Sequence, residues 1–222
     1  MHLPRQNFAR IKTLTYLYAD ACERGYEQYL ALTERINEIG EVEYDPELEE
    51  LTRQHDIAGL QTIVFAGMCF ESAIYEYAAD HLGDVYVQDH LDKLDVLSKW
   101  LIVLRFVAGY ELRKDQAPYA ALKGLVSARN KLVHSKSEPF DFDNAQKQLA
   151  RIQEEEKMYI QSIHNAYRAI LLVSMELESK LGPMNNPFPS YDPKVAPLRD
   201  TPAKLKPVVS ECRAIVTRIR DA

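Results

Sequence analysis

With 222 residues, 46% hydrophobic and 27% charged, the chain is sized for one substantial core, or one core plus an appendage, and is composed as a globular rather than a disordered protein. No uninterrupted apolar run approaches the roughly 20 residues that cross a bilayer. The start, Met1-His2-Leu3-Pro4-Arg5, lacks a secretory apolar stretch, so cytoplasmic residence is the expectation. The net charge of −6 argues against a nucleic-acid partner for the chain as a whole, but that charge is unevenly spread. Residues 1–92 carry 6 Lys/Arg against 18 Asp/Glu, and residues 137–222 carry 12 of each. Residues 93–136 carry 9 Lys/Arg against 3 Asp/Glu, so the surplus positive charge is confined to one stretch, where a local basic surface can hold phosphates.

Glycines are few and unclustered, and a 3.6-residue apolar period dominates, which predicts an all-α fold: an up-down bundle of about five helices over residues 1–182, then a proline-rich arm and a short terminal helix over 183–222. The first helix is expected from Phe8 to Ile39, its apolar face opened by Ile11, Leu14, Leu17, Tyr18 and Ala21. An acidic connection, Glu41 to Glu50, is broken by Pro46. The second helix is predicted from Asp56 as N-cap to Leu82, closed by Gly83. A third spans Leu91 to Val107 around Trp100. The fourth runs from Pro118, a good first-turn residue, to His134, and Glu138-Pro139-Phe140 stops it. Asp141 or Asp143 caps a fifth helix that reaches Leu181, ended by Gly182-Pro183. Seven of the 11 prolines then fall between Pro183 and Pro207, an extended arm expected to wrap a surface, before a last helix from Pro207 to Arg220.

Cys22, Cys69 and Cys212 are too scattered for a zinc site or a disulfide framework, and the histidines outside the fourth helix have no metal-ligand spacing. The tyrosines of the first helix, Tyr16, Tyr18, Tyr26 and Tyr29, fit packing better than base stacking, and Glu154-Glu155-Glu156 fits a solvated face.

The fourth helix holds the informative stretch. Leu122, Leu125, Val126, Leu132 and Val133 share one apolar stripe, and Arg129 falls in its middle, with Asn130 and His134 one turn apart at its edge. On the second helix Leu60, Val64, Gly67, Ile74, Tyr75, Ala78 and Leu82 form a stripe with Glu71 at its centre. Two opposite charges, each stranded on a core-facing face, are expected to meet, since either alone costs several kcal/mol. A generic pair of this kind is a structural bridge. With His134 and Asn130 beside it, the set also supplies what phosphodiester cleavage needs. The imidazole serves as base on a ribose 2′-OH or acid on the leaving oxygen, the guanidinium holds the phosphate and steadies developing charge, and the carboxamide orients either. No metal is needed, and RNA binding falls to Lys123, Lys131 and Lys136 in the basic segment.

Arg129-Asn130-x-x-x-His134, late in an all-α bundle, resembles the R-N-x-x-x-H signature of the HEPN superfamily, and Phe70-Glu71-Ser72-Ala73-Ile74-Tyr75-Glu76-Tyr77 is similar to the helix that often carries its buried acid. The likeness covers roughly Asp56 to Leu181. It implies a metal-independent endoribonuclease without cofactor, of the kind found in toxin–antitoxin and antiphage systems, acting as a homodimer with facing motifs and at times held by a cognate inhibitor protein. It further implies Arg129 and His134 as catalytic residues, Asn130 as their polar companion and Glu71 as the group that orients Arg129. The tyrosine that the toxin subgroup often places two residues after the histidine is Lys136 here. Some members have lost catalysis. The residues therefore also allow a non-catalytic dimerisation or protein-binding module in which Glu71 and Arg129 form a structural bridge.

Overall fold

Caps and glycines set the ends of the helices. In the computed structural model, which describes residues 3–6, 10–40 and 45–221, every regular element is helical, with no strand among the described residues. They are α1 (Thr15–Ile39), α2 (Pro46–Leu82), a single turn α3 (Asp84–Tyr86) running into a π-turn at Val87–Leu91, α4 (Val96–Val103) prolonged by a π-turn at Leu104–Ala108, α5 (Ala117–Val133), α6 (Ala145–Leu181) and α7 (Lys206–Asp221). Seven α-helical segments thus replace five plus a terminal one, the addition being the turn α3.

The largest boundary correction concerns Pro46. It does not interrupt an acidic connection; it occupies the first turn of α2, where its missing N–H is not required, and the Asp45 carboxylate accepts from the Glu47 N–H at 2.8 Å. Asp56, expected as the N-cap, lies inside the helix. The remainder of that connection, residues 41–44, and the predicted helix start at Phe8 fall outside the described residues. The third helix is also shorter than expected. The Asp95 side chain accepts from the Ser98 N–H at 3.0 Å and starts α4 afresh. The closing residues Gly83 and Gly182 stand where expected, at positive φ of 85° and 80°, as does Pro118 at the start of α5.

α2 is the hub of the bundle, packing against α1, α4, α5 and α6. Its central stretch is apolar and long enough by composition to cross a membrane, but more than half of that stretch is buried among these helices. The buried line of α2 runs through Ile63, Ala66, Phe70, Ala73 and Tyr77. On α1 the core takes Ala19, Cys22, Tyr26, Tyr29 and Leu32; of the expected face Leu17 is exposed, Tyr18 and Ala21 are half-buried, and the exposed Ile11 and Leu14 lie before the helix, which begins only at Thr15, so the expected face is wrong. Small residues decide it: Gly25 lets α1 approach Thr62 so closely that a Cβ there would sit 3.1 Å from the Thr62 hydroxyl.

The arm does wrap the bundle. Phe188 is buried and stacks on Trp100 with ring centroids 5.3 Å apart, and Trp100 donates its indole N–H to the Phe70 carbonyl at 3.2 Å. Arg199 donates to Glu23 at 2.6 Å and lies over the Tyr191 ring, tying the arm to α1. α7 then docks on α6 through Val209, Cys212 and Val216. All three cysteines are free and buried, and burial pushes the Cys212 thiol up to about 11, which leaves it unreactive.

Candidate functional site

α5 is anchored at its first half and emerges at its second. Leu122 and Leu125 are fully buried, each worth roughly 2 kcal/mol, and the Asn165 amide of α6 donates to the Ala121 carbonyl at 2.9 Å. Gly124 makes room for that amide, since a Cβ would stand 3.0 Å from its nitrogen. Beyond this point burial declines: Val126 and Leu132 are half-buried and Val133 is exposed. The motif therefore sits where the apolar stripe leaves the core.

Glu71 and Arg129 do come together, but not as a buried pair. Arg129 Nη2 lies 3.5 Å from Glu71 Oε2, and the side chains are 28% and 43% exposed. The expectation of two stranded core charges fails because the central stretch of α2 is apolar on nearly every side, so periodicity could not orient it. The true core line passes through Phe70, which places Glu71 a quarter turn away, on the seam with α5. The cost of removing one partner is therefore that of a half-exposed pair, up to about 1 kcal/mol rather than several.

Arg129 is held as much by its stem as by its charge. Its methylenes lie against Gly67, where a Cβ would come within 2.9 Å of Arg129 Cγ. Gly67 was read from sequence only as part of an apolar stripe. Its signal was present: a glycine inside a well-packed helix, one turn before Glu71 on the same face, marks a close approach. The guanidinium also donates from Nη1 to Asn130 Oδ1 at 3.3 Å. Gly67, Phe70, Glu71, Val96, Arg129 and Asn130 border a crevice of about 10 Å³, room for about one water.

His134 is the C-cap of α5. Its backbone N–H donates to the Asn130 carbonyl at 3.1 Å, which keeps the two residues one turn apart, and the residue is exposed. Among the described residues nothing hydrogen-bonds its ring. Lys123, Ser127, Asn130 and His134 follow at steps of three and four and form one exposed ridge of α5. Lys131 lies beside that ridge, and Lys136 follows in the segment after the helix. None of Lys123, Lys131 and Lys136 has a carboxylate partner among the described residues. The fold thus joins Arg129, Glu71 and Asn130 at the α2–α5 seam and places His134 and the lysines on the neighbouring solvent face.

The opposite side of α5 borders an open groove of about 1110 Å³ between α2, α5 and α6, with Ile63 and Leu132 in its floor and Lys131, Glu155 and Glu156 on its walls. Its apolar character went unread in the sequence. Among the described residues no group of three or more His, Cys, Asp or Glu side chains could hold a metal ion. The arrangement offers an oriented guanidinium and, without a partner among the described residues, an exposed imidazole and exposed lysine cations. Searches against models of protein families, against curated proteins and against solved structures match nothing.

Proposed function

We propose that this protein is a metal-independent endoribonuclease of the HEPN type, with its site along the exposed ridge and seam of α5. The observation that carries this reading is how little Arg129 is engaged. One contact at 3.5 Å and one weak hydrogen bond orient its guanidinium, yet they leave most of its five donors for a phosphate. The neighbouring face of the same helix and the segment after it carry an imidazole and three lysines that have no ion-pair or hydrogen-bond partner among the described residues. A purely structural bridge asks for short, buried, bidentate pairing, and this pair has none of those properties.

The chemistry follows from these positions. Arg129 and the lysines bind the phosphodiester. His134 takes the proton of the ribose 2′-OH, the 2′-oxygen attacks phosphorus, the bond to the 5′-oxygen breaks, and a proton returns to that oxygen as it leaves. Charge gathering on the phosphate oxygens is met by the guanidinium, and Asn130 steadies its edge. DNA, lacking the 2′-OH, is not a substrate.

Purified protein should cut single-stranded RNA in the presence of a chelator and leave 2′,3′-cyclic phosphate or 3′-phosphate ends, while His134→Ala does not. Expression of the wild type, but not of the variant, should slow cell growth. Equal inertness of both proteins on a broad RNA panel would reject the enzyme and favour a non-catalytic binding module.

A further inference from the structure

The loop that follows the motif is braced, and it displays two aromatic rings. Between His134 and α6 the chain has no regular structure except a 3-10 turn at Phe142–Asn144. Gln148, in the first turn of α6, clamps it twice. Its side-chain oxygen accepts from the Asp141 N–H at 2.6 Å, and its amide donates to the Pro139 carbonyl at 3.3 Å. Arg151, one turn on, donates to Glu138 at 2.7 Å. The opening turns of α6, which are otherwise exposed, thus serve as a post for this loop. Ser135 borders the same groove as Glu155, Glu138 meets Arg151, and Asp141 meets Gln148, so the chain climbs beside α6 toward its start. The seven residues from Glu155 to Gln148 carry it about 10 Å beyond the motif at 1.5 Å per residue.

Phe140 and Phe142 flank the clamped Asp141. Their rings lie 4.9 Å apart at 69° to each other, and the two residues are 41% and 84% exposed. A phenylalanine so exposed adds nothing to the core, and its ring faces stand open for stacking. The acids of the loop are mostly engaged: Glu138 is paired with Arg151, and Asp141 accepts from the Asp143 and Asn144 backbone N–H groups. Only the Asp143 carboxylate has no partner among the described residues, and it turns phosphates back toward Lys136 and the cations of α5 without hindering a neutral base. A protein partner would ask for a continuous apolar surface, whereas Asp141, Asp143 and Asn144 interrupt this one. A strand with its phosphates along α5 and its unpaired bases reaching past the motif fits both the charge and the spacing. The 10 Å corresponds to about three stacked nucleotides at roughly 3.4 Å per step.

We propose that Phe140 and Phe142 form a nucleobase-stacking subsite, which grips an unpaired base about three nucleotides from the phosphate at Arg129. The subsite takes its strand from the ribonuclease reading and adds to it a preference for single-stranded over duplex RNA.

A fully 2′-O-methylated single strand of about 12 nucleotides, carrying 2-aminopurine at successive positions, tests this without cleavage. The wild type should bind it and quench the fluorophore most strongly at one or two neighbouring positions. Phe140→Ala and Phe142→Ala, both at exposed sites, should keep the helical circular dichroism, weaken binding about tenfold each and relieve the quenching, with the salt dependence unchanged. Phe142→Trp should restore both signals. Lys136→Ala should do the opposite, lowering the salt slope by about one while quenching persists. Binding of an RNA duplex should be the same for wild type and Phe142→Ala. A wild type that binds no single strand overturns the proposal. So does a double variant, Phe140→Ala with Phe142→Ala, that binds and quenches like the wild type, and that result leaves the rings to a protein partner. Cleavage of unmodified RNA is scored separately: a protein that stacks but never cuts retains the subsite and loses the nuclease, and one that cuts with the double variant unimpaired does the reverse.

Discussion

Two arginine–glutamate pairs divide this molecule. Under the proline-rich arm, Arg199 meets Glu23 at 2.6 Å with side chains 18% and 12% exposed, Tyr167 donates to the same carboxylate oxygen at 2.9 Å, and the guanidinium lies 4.3 Å from the Tyr191 ring centre. At the motif, Arg129 stands 3.5 Å from Glu71, both are more exposed, and no aromatic ring covers the guanidinium among the described residues. The first is what a bridge looks like when it joins segments: short, shared and dry. The second is a guanidinium aimed by its surroundings but left with donors to spare. The chemistry of the two pairs is the same, and burial separates a tight structural bridge from a pair whose guanidinium keeps donors to spare.

The widest gap between the two regions should show in catalysis. His134→Ala should lower RNA cleavage by roughly 10²- to 10⁴-fold, the usual worth of a general acid or base, with unfolding unchanged. Glu23→Gln should do the reverse and destabilise the protein by about 3 kcal/mol in urea unfolding, because the part-buried Arg199 loses its close counter-charge and keeps only the half-exposed Asp20 at 3.9 Å, while the folded fraction still cuts at the wild-type rate. Gly67→Ala sharpens the motif side. The added methyl meets the Arg129 stem, so a loss of about 1–2 kcal/mol is expected together with slower cleavage, as measured on the same preparation. Glu71→Gln should cost no more than about 1 kcal/mol; a cost near that of Glu23→Gln would make the motif pair a second structural bridge.

A smaller effect belongs to the buried region alone. The Tyr26 hydroxyl and His164 Nδ1 lie 2.8 Å apart, and burial, with Arg168 nearby, lowers the His164 pKa below its ordinary 6.5. Below about pH 6.5 the unfolded chain therefore takes up the proton more readily than the folded one, and stability falls as the pH drops from there. In thermal unfolding across that range, His164→Gln should flatten the decline.

Local chemistry was legible in the sequence where it acts locally. Gly83, Gly182 and Pro118 mark the ends they were expected to mark, whereas Asp141, accepting from the Asp143 N–H at 3.0 Å, caps the short 3-10 turn Phe142–Asn144, and α6 itself starts after Asn144 with no side-chain cap from either expected aspartate. What failed depended on a partner. The central stretch of α2 is apolar on nearly every side, so its pattern could not say which side met α5, and Glu71 was placed in the core when it lies on a seam. Asp45-Pro46 is a strong start signal that an acidic neighbourhood disguised. The face of α1 turned on Gly25, whose value exists only once Thr62 is opposite. The meeting of Arg129 with Glu71 was foreseen for the wrong reason: a pair was expected because two charges seemed stranded, whereas each retains contact with water. The groove escaped notice because half a helix that continues a core stripe reads as core until its neighbours end.

Arg129→Met offers the most direct measurement, because it keeps the stem against Gly67 and removes only the guanidinium. Urea unfolding and RNA cleavage should be read together. Stability within about 1 kcal/mol of wild type, with cleavage reduced at least about a hundredfold, is the expected result. A loss of about 3 kcal/mol with the cleavage rate of the folded protein intact would contradict it and assign Arg129 to holding two helices together.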